Sequence, residues 1–260
     1  MGKVSRRVTV SISAATVLVI LLLWYFVTRY QLVNPLFLPS PNAVWKAFIE
    51  IVQQGYKGST LWQHLGASLG RMVVAFVLAV VVAVPAGLAS GYEPRIRAII
   101  EPVVEFYRPL PPLAYYTLLV IWMGIGNESK VALLFLACFA PIYVACTMAV
   151  MRMSPNYTRN AATLGASRWQ IFARVIFPLA LPDIFSGLRI ALGVGYTTLV
   201  AAEMVAARSG IGWMVLDASN FLRSDVIFVG IIVMAITGIL LDQALRGLKA
   251  LCVPWEGKEF

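Results

Sequence analysis

Histidine is almost missing from this chain: His64 is the only one in 260 residues, and Asp and Glu together number 12. Hydrolytic or transferase chemistry inside a membrane needs clustered His, Asp or Glu at one depth. A single His and scattered acids argue against that class, and His64 reads as a structural hydrogen-bonding residue. Cysteine is nearly as scarce. Cys138, Cys146 and Cys252 show no CxxC or ligand spacing and two lie inside an apolar run, so all three read as packing residues without a disulfide. No G-x-x-x-x-G-K-[ST] phosphate loop occurs, which leaves any ATP to another polypeptide. Charge is sparse too. Only 13% of residues are charged while 60% are hydrophobic, more apolar surface than a soluble domain of this length can bury. The solvent of the fold is therefore lipid.

What charge remains is basic, with a net +9. The basic residues sit between apolar runs instead of gathering with stacking aromatics, so they read as topology signals and not as a nucleic-acid site. A membrane span needs about 20 mainly apolar residues. Runs of that kind recur around Val8 to Phe26, Met72 to Ala89, Val131 to Val150, Ile184 to Ala206 and Val226 to Leu245. Lys3, Arg6 and Arg7 precede the first run as in a signal peptide, but the run reaches Phe26 without a small-x-small site, which favours a retained span with its N-terminus in the cytoplasm. Between the first two runs, Ser40-Pro41 and Ser59-Thr60 mark two helix starts. Val44, Ala47, Phe48 and Ile51 then recur at helical spacing, as in a helix lying along the membrane surface.

The stretch Glu101 to Gly126 is harder to place, because Pro109, Pro111 and Pro112 cannot share one regular helix and the apolar run from Leu113 is short. Charge decides the span count. Met151 to Pro182 carries Arg152, Arg159, Arg168 and Arg174 and no acid, which puts it in the cytoplasm beside the N-terminus. An even number of spans must precede it, so the Pro-rich stretch crosses. Two forms stay open: a broken helix whose free carbonyls face protein or a watery cavity, or a helix starting late after an extended entry. The expected architecture is an all-α membrane protein with six transmembrane helices, near 8–28, 72–91, 103–125, 131–150, 184–206 and 226–246, with a cytoplasmic loop at 151–183. Arg246, Lys249 and Lys258 agree with both ends inside, and the mixed charges from Arg208 to Asp225 suit the outer side. No internal repeat or low-complexity segment divides this single domain.

The cytoplasmic loop reads SPNYTRNAATLGASRWQIFARVIFPLALPD. Ser154 caps a helix with Pro155 in its first turn, which runs to Leu164 before Gly165 supplies a left-handed stop. Ser167 and Gln170 form a capping box for a second helix that carries Trp169, Ile171 and Phe172 and is expected to stop at Pro178, with Pro182 and Asp183 opening the fifth span. Two capped helices hinged at a glycine look like a docking knob. The alternative is a re-entry helix lying on the headgroups through Arg168 and Trp169.

This loop resembles the EAA loop of ABC importer permeases: Glu-Ala-Ala, three residues, Gly, nine residues, Ile-x-Leu-Pro. Gly165 and Val175-Ile176-Phe177-Pro178 keep the second half, while Arg159 stands at the Glu position, Asn160 at the first Ala and Ala161 at the second. Reading Asn160-Ala161-Ala162 as the triplet needs one residue deleted before the Gly, and neither register restores the Glu charge. PLFLPSP (Pro35 to Pro41), TLWQHLGASLGRM (Thr60 to Met72), YRPLPPLAY (Tyr107 to Tyr115) and TLVAAEM (Thr198 to Met204) are similar to the taurine, alkanesulfonate and nitrate permease group, with Thr117 at a position usually Pro.

The resemblance implies a type I importer permease in the bacterial inner membrane. It further implies a homodimer of this chain, two ATPase subunits that hold ATP and Mg, and an extracytoplasmic substrate-binding protein. The chain itself carries no cofactor or metal and is no enzyme. ATPase coupling falls to Arg159, Asn160, Ala161, Ala162, Leu164, Gly165, Ala166, Ser167, Arg168 and Trp169. Polar residues inside spans are functional candidates, and related permeases bring the third and fifth spans to the central path. Tyr115, Tyr116, Thr117, Tyr196, Thr197, Thr198 and Glu203 are the expected lining. Against that, Thr hydroxyls can bond their own helix, and Glu203 can pair with Arg208 or Arg223. Arg108 is either an anion attractor or the ion-pair partner of Glu105 or Glu101. Overall likeness points to taurine as cargo, with alkanesulfonate, nitrate or a pyrimidine precursor as alternatives and a secondary transporter as the competing class.

Overall fold

A computed structural model describes residues 6–256. Lys3 and Lys258, read as topology signals, lie outside the described residues, as do the side chains of Arg6 and Arg7. Among the described residues eleven α-helices follow one another: α1 Arg6–Arg29, α2 Pro41–Gln53, α3 Leu61–Tyr92, α4 Pro94–Tyr107, α5 Pro112–Met123, α6 Asn127–Met151, α7 Pro155–Thr163, α8 Arg168–Ile171, α9 Phe177–Ala206, α10 Ile211–Asn220 and α11 Ser224–Cys252. A π turn, Phe172–Ile176, joins α8 to α9. Five helical stretches are long and apolar enough to cross a membrane; the shorter apolar helix is α5.

The centre is a sandwich of α3, α6 and α9. In lipid, apolar side chains gain little by leaving their solvent, so helices associate through close van der Waals packing, and small residues allow that approach. Gly87 and Gly91 in α3 do this work: a Cβ at Gly87 would stand 2.7 Å from the Tyr143 carbonyl oxygen, and one at Gly91 2.8 Å from that of Thr147. Thr147 Oγ1 donates to the Gly87 carbonyl at 3.1 Å, a bond between the same two helices. Cys138 and Cys146 are buried in this seam as packing residues, whereas Cys252 is exposed at the end of α11. The packing expectation fails for Cys252, which lies on the outer side of the chain next to Val253, the residue that turns into the core.

Helix caps fall where their residue types place them. Ser40 Oγ accepts from the Ala43 N–H, and Thr60 and Gln63 form a capping box that starts α3 eleven residues before the apolar run alone would. Val44, Ala47 and Ile51 on α2 are buried with Ile211, Met214, Val226 and Val229, so that stripe faces α10 and α11. By contrast, α1 has no fully buried side chain among those described and is joined to the rest by the Trp24 N–H donating to Pro39 O and by Trp24 stacking on Phe228.

The Pro-rich stretch is a broken helix pair. Before the prolines the chain is already helical as α4, so the extended-entry form is excluded. Residues 108–111 make the break, and α5 then runs unbroken through Thr117, whose N–H a Pro would lack. At 1.5 Å per residue α5 is about 18 Å long, well short of a bilayer core.

The second loop helix does not stop at Pro178. Arg168 to Ala206 is one continuous helical run of 39 residues. Proline removes one N–H and crowds the carbonyl four residues back. Here the preceding π turn widens the spiral, with the Phe177 N–H reaching Phe172 O, and Pro178 follows directly on that wider turn. Pro182 is likewise held inside the helix, its carbonyl accepting from Ser186 Oγ at 2.9 Å.

If the seam depends on Gly87, Gly87→Ala should lower the stability of the detergent-solubilised chain by about 1–3 kcal/mol. Gly193→Ala, with open space around it, should not. The fraction remaining monodisperse after heating measures both, and equal behaviour of the two variants would contradict the packing account.

Candidate functional site

Three polar features stand out against the apolar bundle. The first is the loop after α6. Ser154 Oγ accepts from the Asn156 N–H at 3.4 Å and Pro155 opens α7. The far end closes as a Schellman motif: Gly165 at φ +83 donates to Ala162 O, and Ala166 donates to Ala161 O. Ser167 then starts α8 with both capping-box bonds, at 2.8 and 3.3 Å. Both helix starts and the stop between them are thus capped by the loop's own atoms. Ala161 and Ala166 face the core; Arg159, Asn160, Ala162, Ser167 and Arg168 are exposed. Leu164 is 88% exposed and Trp169 73%. Trp169 stacks on Phe172, whose edge meets Tyr92, forming one wall of a furrow of about 320 Å³ against Ala89 and Ile96.

The second feature is a cavity of about 540 Å³ between the α4–α5 break, α6 and α9. Ala137, Pro141, Ala145 and Met148 line it from one face of α6, and Gly187, Ile190 and Val194 from one face of α9. Arg108, Arg152 and Asp183 sit on its walls, and none of them forms an ion pair among the described residues. Glu101 pairs instead with Arg97, at 3.6 Å one turn away, which corrects the expected Arg108 pairing: the nearer arginine on the same helix takes the carboxylate, and Arg108 borders the cavity.

The third feature is a closed polar cluster at the other end of α9. Glu203 is 1% exposed and accepts from Arg71 Nη1 at 2.6 Å, from Ser68 Oγ at 2.8 and 2.9 Å, and from the Gly212 N–H at 3.0 Å. Arg71 also donates to Asn127 Oδ1 and to the carbonyl and hydroxyl of Ser209. Next to it His64 Nδ1 accepts from the Gly210 N–H, while Nε2 faces Tyr56 O at 3.3 Å, an arrangement suited to the neutral ring. Glu203 thus pairs with Arg71, and neither with Arg208 nor with Arg223. Arg223 holds Asp225 and Glu50, and Asp217 accepts from the Tyr56 hydroxyl at 2.8 Å. Burial first, and then Asp217, pushes the Tyr56 phenol well above its ordinary value.

The residues expected to line a path separate. Tyr115 lines the cavity. Tyr116 is buried with Leu119, Leu133 and Ala202. Thr117 is exposed on the far face of α5. Tyr196 donates to Met234 O and meets Thr237 at 2.5 Å, while Thr197 and Thr198 both bond back to Val194 O. Sequence reading missed Arg71 and Ser68. With His64 they recur at i, i+4 and i+7 along α3, a polar stripe on an otherwise apolar helix that was legible as a single face.

An all-helical membrane fold with five long spans and a broken third, a compact loop after the fourth and no phosphate loop define the membrane component of a transport system. The chain belongs to the family of binding-protein-dependent transport system inner membrane components, whose model matches residues 79–252, and it has the type I importer permease fold. It is 48% identical over 255 residues to the taurine transport system permease protein TauC of Escherichia coli (strain K12), covering 98% of this chain and 92% of that protein. Other relatives are SsuC of the same organism, a candidate aliphatic sulfonates transport permease protein, at 32% over 91% of this chain and 88% of that protein, and the nitrate import permease protein NrtB of Synechocystis sp. (strain PCC 6803), at 30% over 94% and 90%.

Removing one partner of a buried ion pair strands the other charge and costs about 3–5 kcal/mol. Arg71→Met should therefore destabilise the solubilised chain by that order, and Arg71→Met with Glu203→Gln by less. Thermal unfolding of the three proteins is the check; a double variant no more stable than Arg71→Met would deny that the stranded charge causes the loss.

Proposed function

We propose that this chain is the permease subunit of an ATP-binding-cassette importer for a small organic sulfonate, taurine ahead of the alkanesulfonates and nitrate. It works as a homodimer in the bacterial inner membrane with both termini in the cytoplasm. Two ATPase subunits holding ATP and Mg dock on its cytoplasmic loops, and an extracytoplasmic binding protein delivers the cargo. The carrying observation is the loop itself: a helix pair capped by its own Ser154, Gly165 and Ser167 that exposes Leu164 and Trp169. Large apolar side chains held out on such a mount are anchors for a partner pocket.

Arg159, Asn160, Ala161, Ala162, Leu164, Gly165, Ala166, Ser167, Arg168 and Trp169 make up the docking element. Arg159 and Arg168 give it a basic character, which calls for an acidic rim on the ATPase. ATP-driven closure of the ATPases would draw the two loops together and tilt the helices continuous with them. The path is assigned to the cavity wall that includes Tyr115. Glu203, Tyr116 and Tyr196 serve it by fixing α5, α9 and α11, Thr197 and Thr198 bond back within α9, and Thr117 faces outward. The similarity to TauC supports taurine as the cargo.

The chain should be purified from detergent-solubilised membranes with and without Gly165→Pro plus Trp169→Asp. An ATPase should co-purify with the parent and be lost from a variant that elutes as a folded membrane protein, and taurine uptake should fall with it. Retention of the ATPase by the variant, or none bound to either, overturns the docking role and leaves a self-sufficient secondary transporter as the better account.

A further inference from the structure

We propose that the cavity between the α4–α5 break, α6 and α9 is a transit site for a zwitterionic aminosulfonate, with Arg108 and Arg152 taking the sulfonate and Asp183 the ammonium. The proposal rests on the importer reading and names the ligand chemistry of its path.

Its basis is the convergence of unpaired charges on one cavity. Asp242 lies between Arg189 and Arg246, Arg223 between Asp225 and Glu50, and Glu203 is sealed against Arg71. Arg108, Arg152 and Asp183 have no such partner among the described residues, and all three border one cavity. Each is delivered there by a local cause. Arg108 is the capping residue where α4 gives way to the prolines. Arg152 caps α6, and its side chain follows Met148 and Ala149 down the cavity face. Asp183 is carried on α9 one turn before Gly187, at a depth the continuous helix sets. The hydroxyl of Tyr107, buried and without a partner among the described residues, borders the same space.

Guanidinium groups present planar forks of donors that match the oxygens of a sulfonate. Two arginines against one carboxylate leave a net positive mouth that draws in an anion, and the carboxylate then separates an aminosulfonate from an alkanesulfonate or nitrate, which have no cation to offer. The small residues Ala145 and Gly187 line the wall between, wide enough for a short methylene chain. At about 540 Å³ the cavity exceeds one small sulfonate, and its charged groups are solvated. Both features make the site weak, as a path that must release its cargo requires.

The test uses the full-length chain in detergent carrying Cys252→Ser and Ser186→Cys, Cys138 and Cys146 being buried. N-ethylmaleimide labelling of the residue at 186 is timed with taurine, with ethanesulfonate, and with sodium chloride at matched ionic strength. Taurine should slow labelling more than ethanesulfonate does, and chloride should not slow it. Arg108→Gln and Arg152→Gln should each weaken taurine protection by about tenfold, the loss of one charge-assisted contact. Asp183→Asn should abolish the preference for taurine while leaving ethanesulfonate protection in place. Labelling that taurine does not slow, chloride that protects equally, or arginine variants protected like the parent would each overturn the site. Co-purification of the ATPase, followed on the same preparations, separates the two ideas. Bound ATPase without protection sinks the transit site alone, and protection without any ATPase keeps the site and sinks the importer reading.

Discussion

Close approach of α3, α6 and α9 is the constraint on which the rest of this membrane domain depends. Lipid offers no hydrophobic reward for helix association, so the bundle is held by contact area, and contact area is limited by the thickest side chain in the seam. Gly87 and Gly91 set that limit on α3, while Gly195 admits Cys138 and Met72 from the two neighbouring helices. The other helices attach to this sandwich: α5 rests on α6 and α9 through Tyr116, Leu119 and Leu133, and α10 and α11 close over α2. The cavity exists because α5 is too short to fill the furrow that α6 and α9 leave on that side.

Charge is handled in two opposite ways at the two ends of the bundle. At one end Arg71 and Glu203 are removed from water, and each polar atom there is matched by Ser68, Asn127, Ser209 or a backbone N–H. Such a pair contributes little net stability over an apolar pair, but it is intolerant of misplacement. It therefore fixes where the 207–212 turn sits against α3 and α6. At the other end Arg108, Arg152 and Asp183 keep their hydration and stay unmatched. The first arrangement specifies a structure, and the second leaves charges available to something else.

Much of this was legible from residue types alone. The caps at Ser40, Thr60, Ser154 and Ser167, the stop at Gly165 and the break around Pro109 to Pro112 are local effects, fixed within four or five residues, and the chain obeys them. Two errors share a different origin. Pro178 was expected to end a helix by the usual steric argument, but a π turn ending two residues earlier relieves that clash, and nothing in the short-range pattern announces a π turn. Glu203 was assigned partners near it in sequence, whereas its partner is 132 residues away, a distance at which only tertiary packing decides. The candidate path suffered most. Polar residues in a span signal that something holds them, without saying whether it is cargo, as the cavity invites for Tyr115, or a neighbouring carbonyl, as at Thr198.

The uninterrupted run from Arg168 to Ala206 ties these pieces into one mechanical element. Had Pro178 broken the chain, Trp169 and Asp183 would belong to separate bodies, and a push on the loop would be absorbed at the joint. As one helix of about 58 Å at 1.5 Å per residue, the segment carries the exposed Trp169 at one end, the cavity wall from Asp183 to Val194 in the middle, and Glu203 near the far end. The far end is clamped to α3 through Arg71. A long helix held at one end and moved at the other pivots, and the part that travels between them is the wall that faces the cavity. In the importer proposed here, the force of ATPase closure thus arrives at the transit site through the backbone itself.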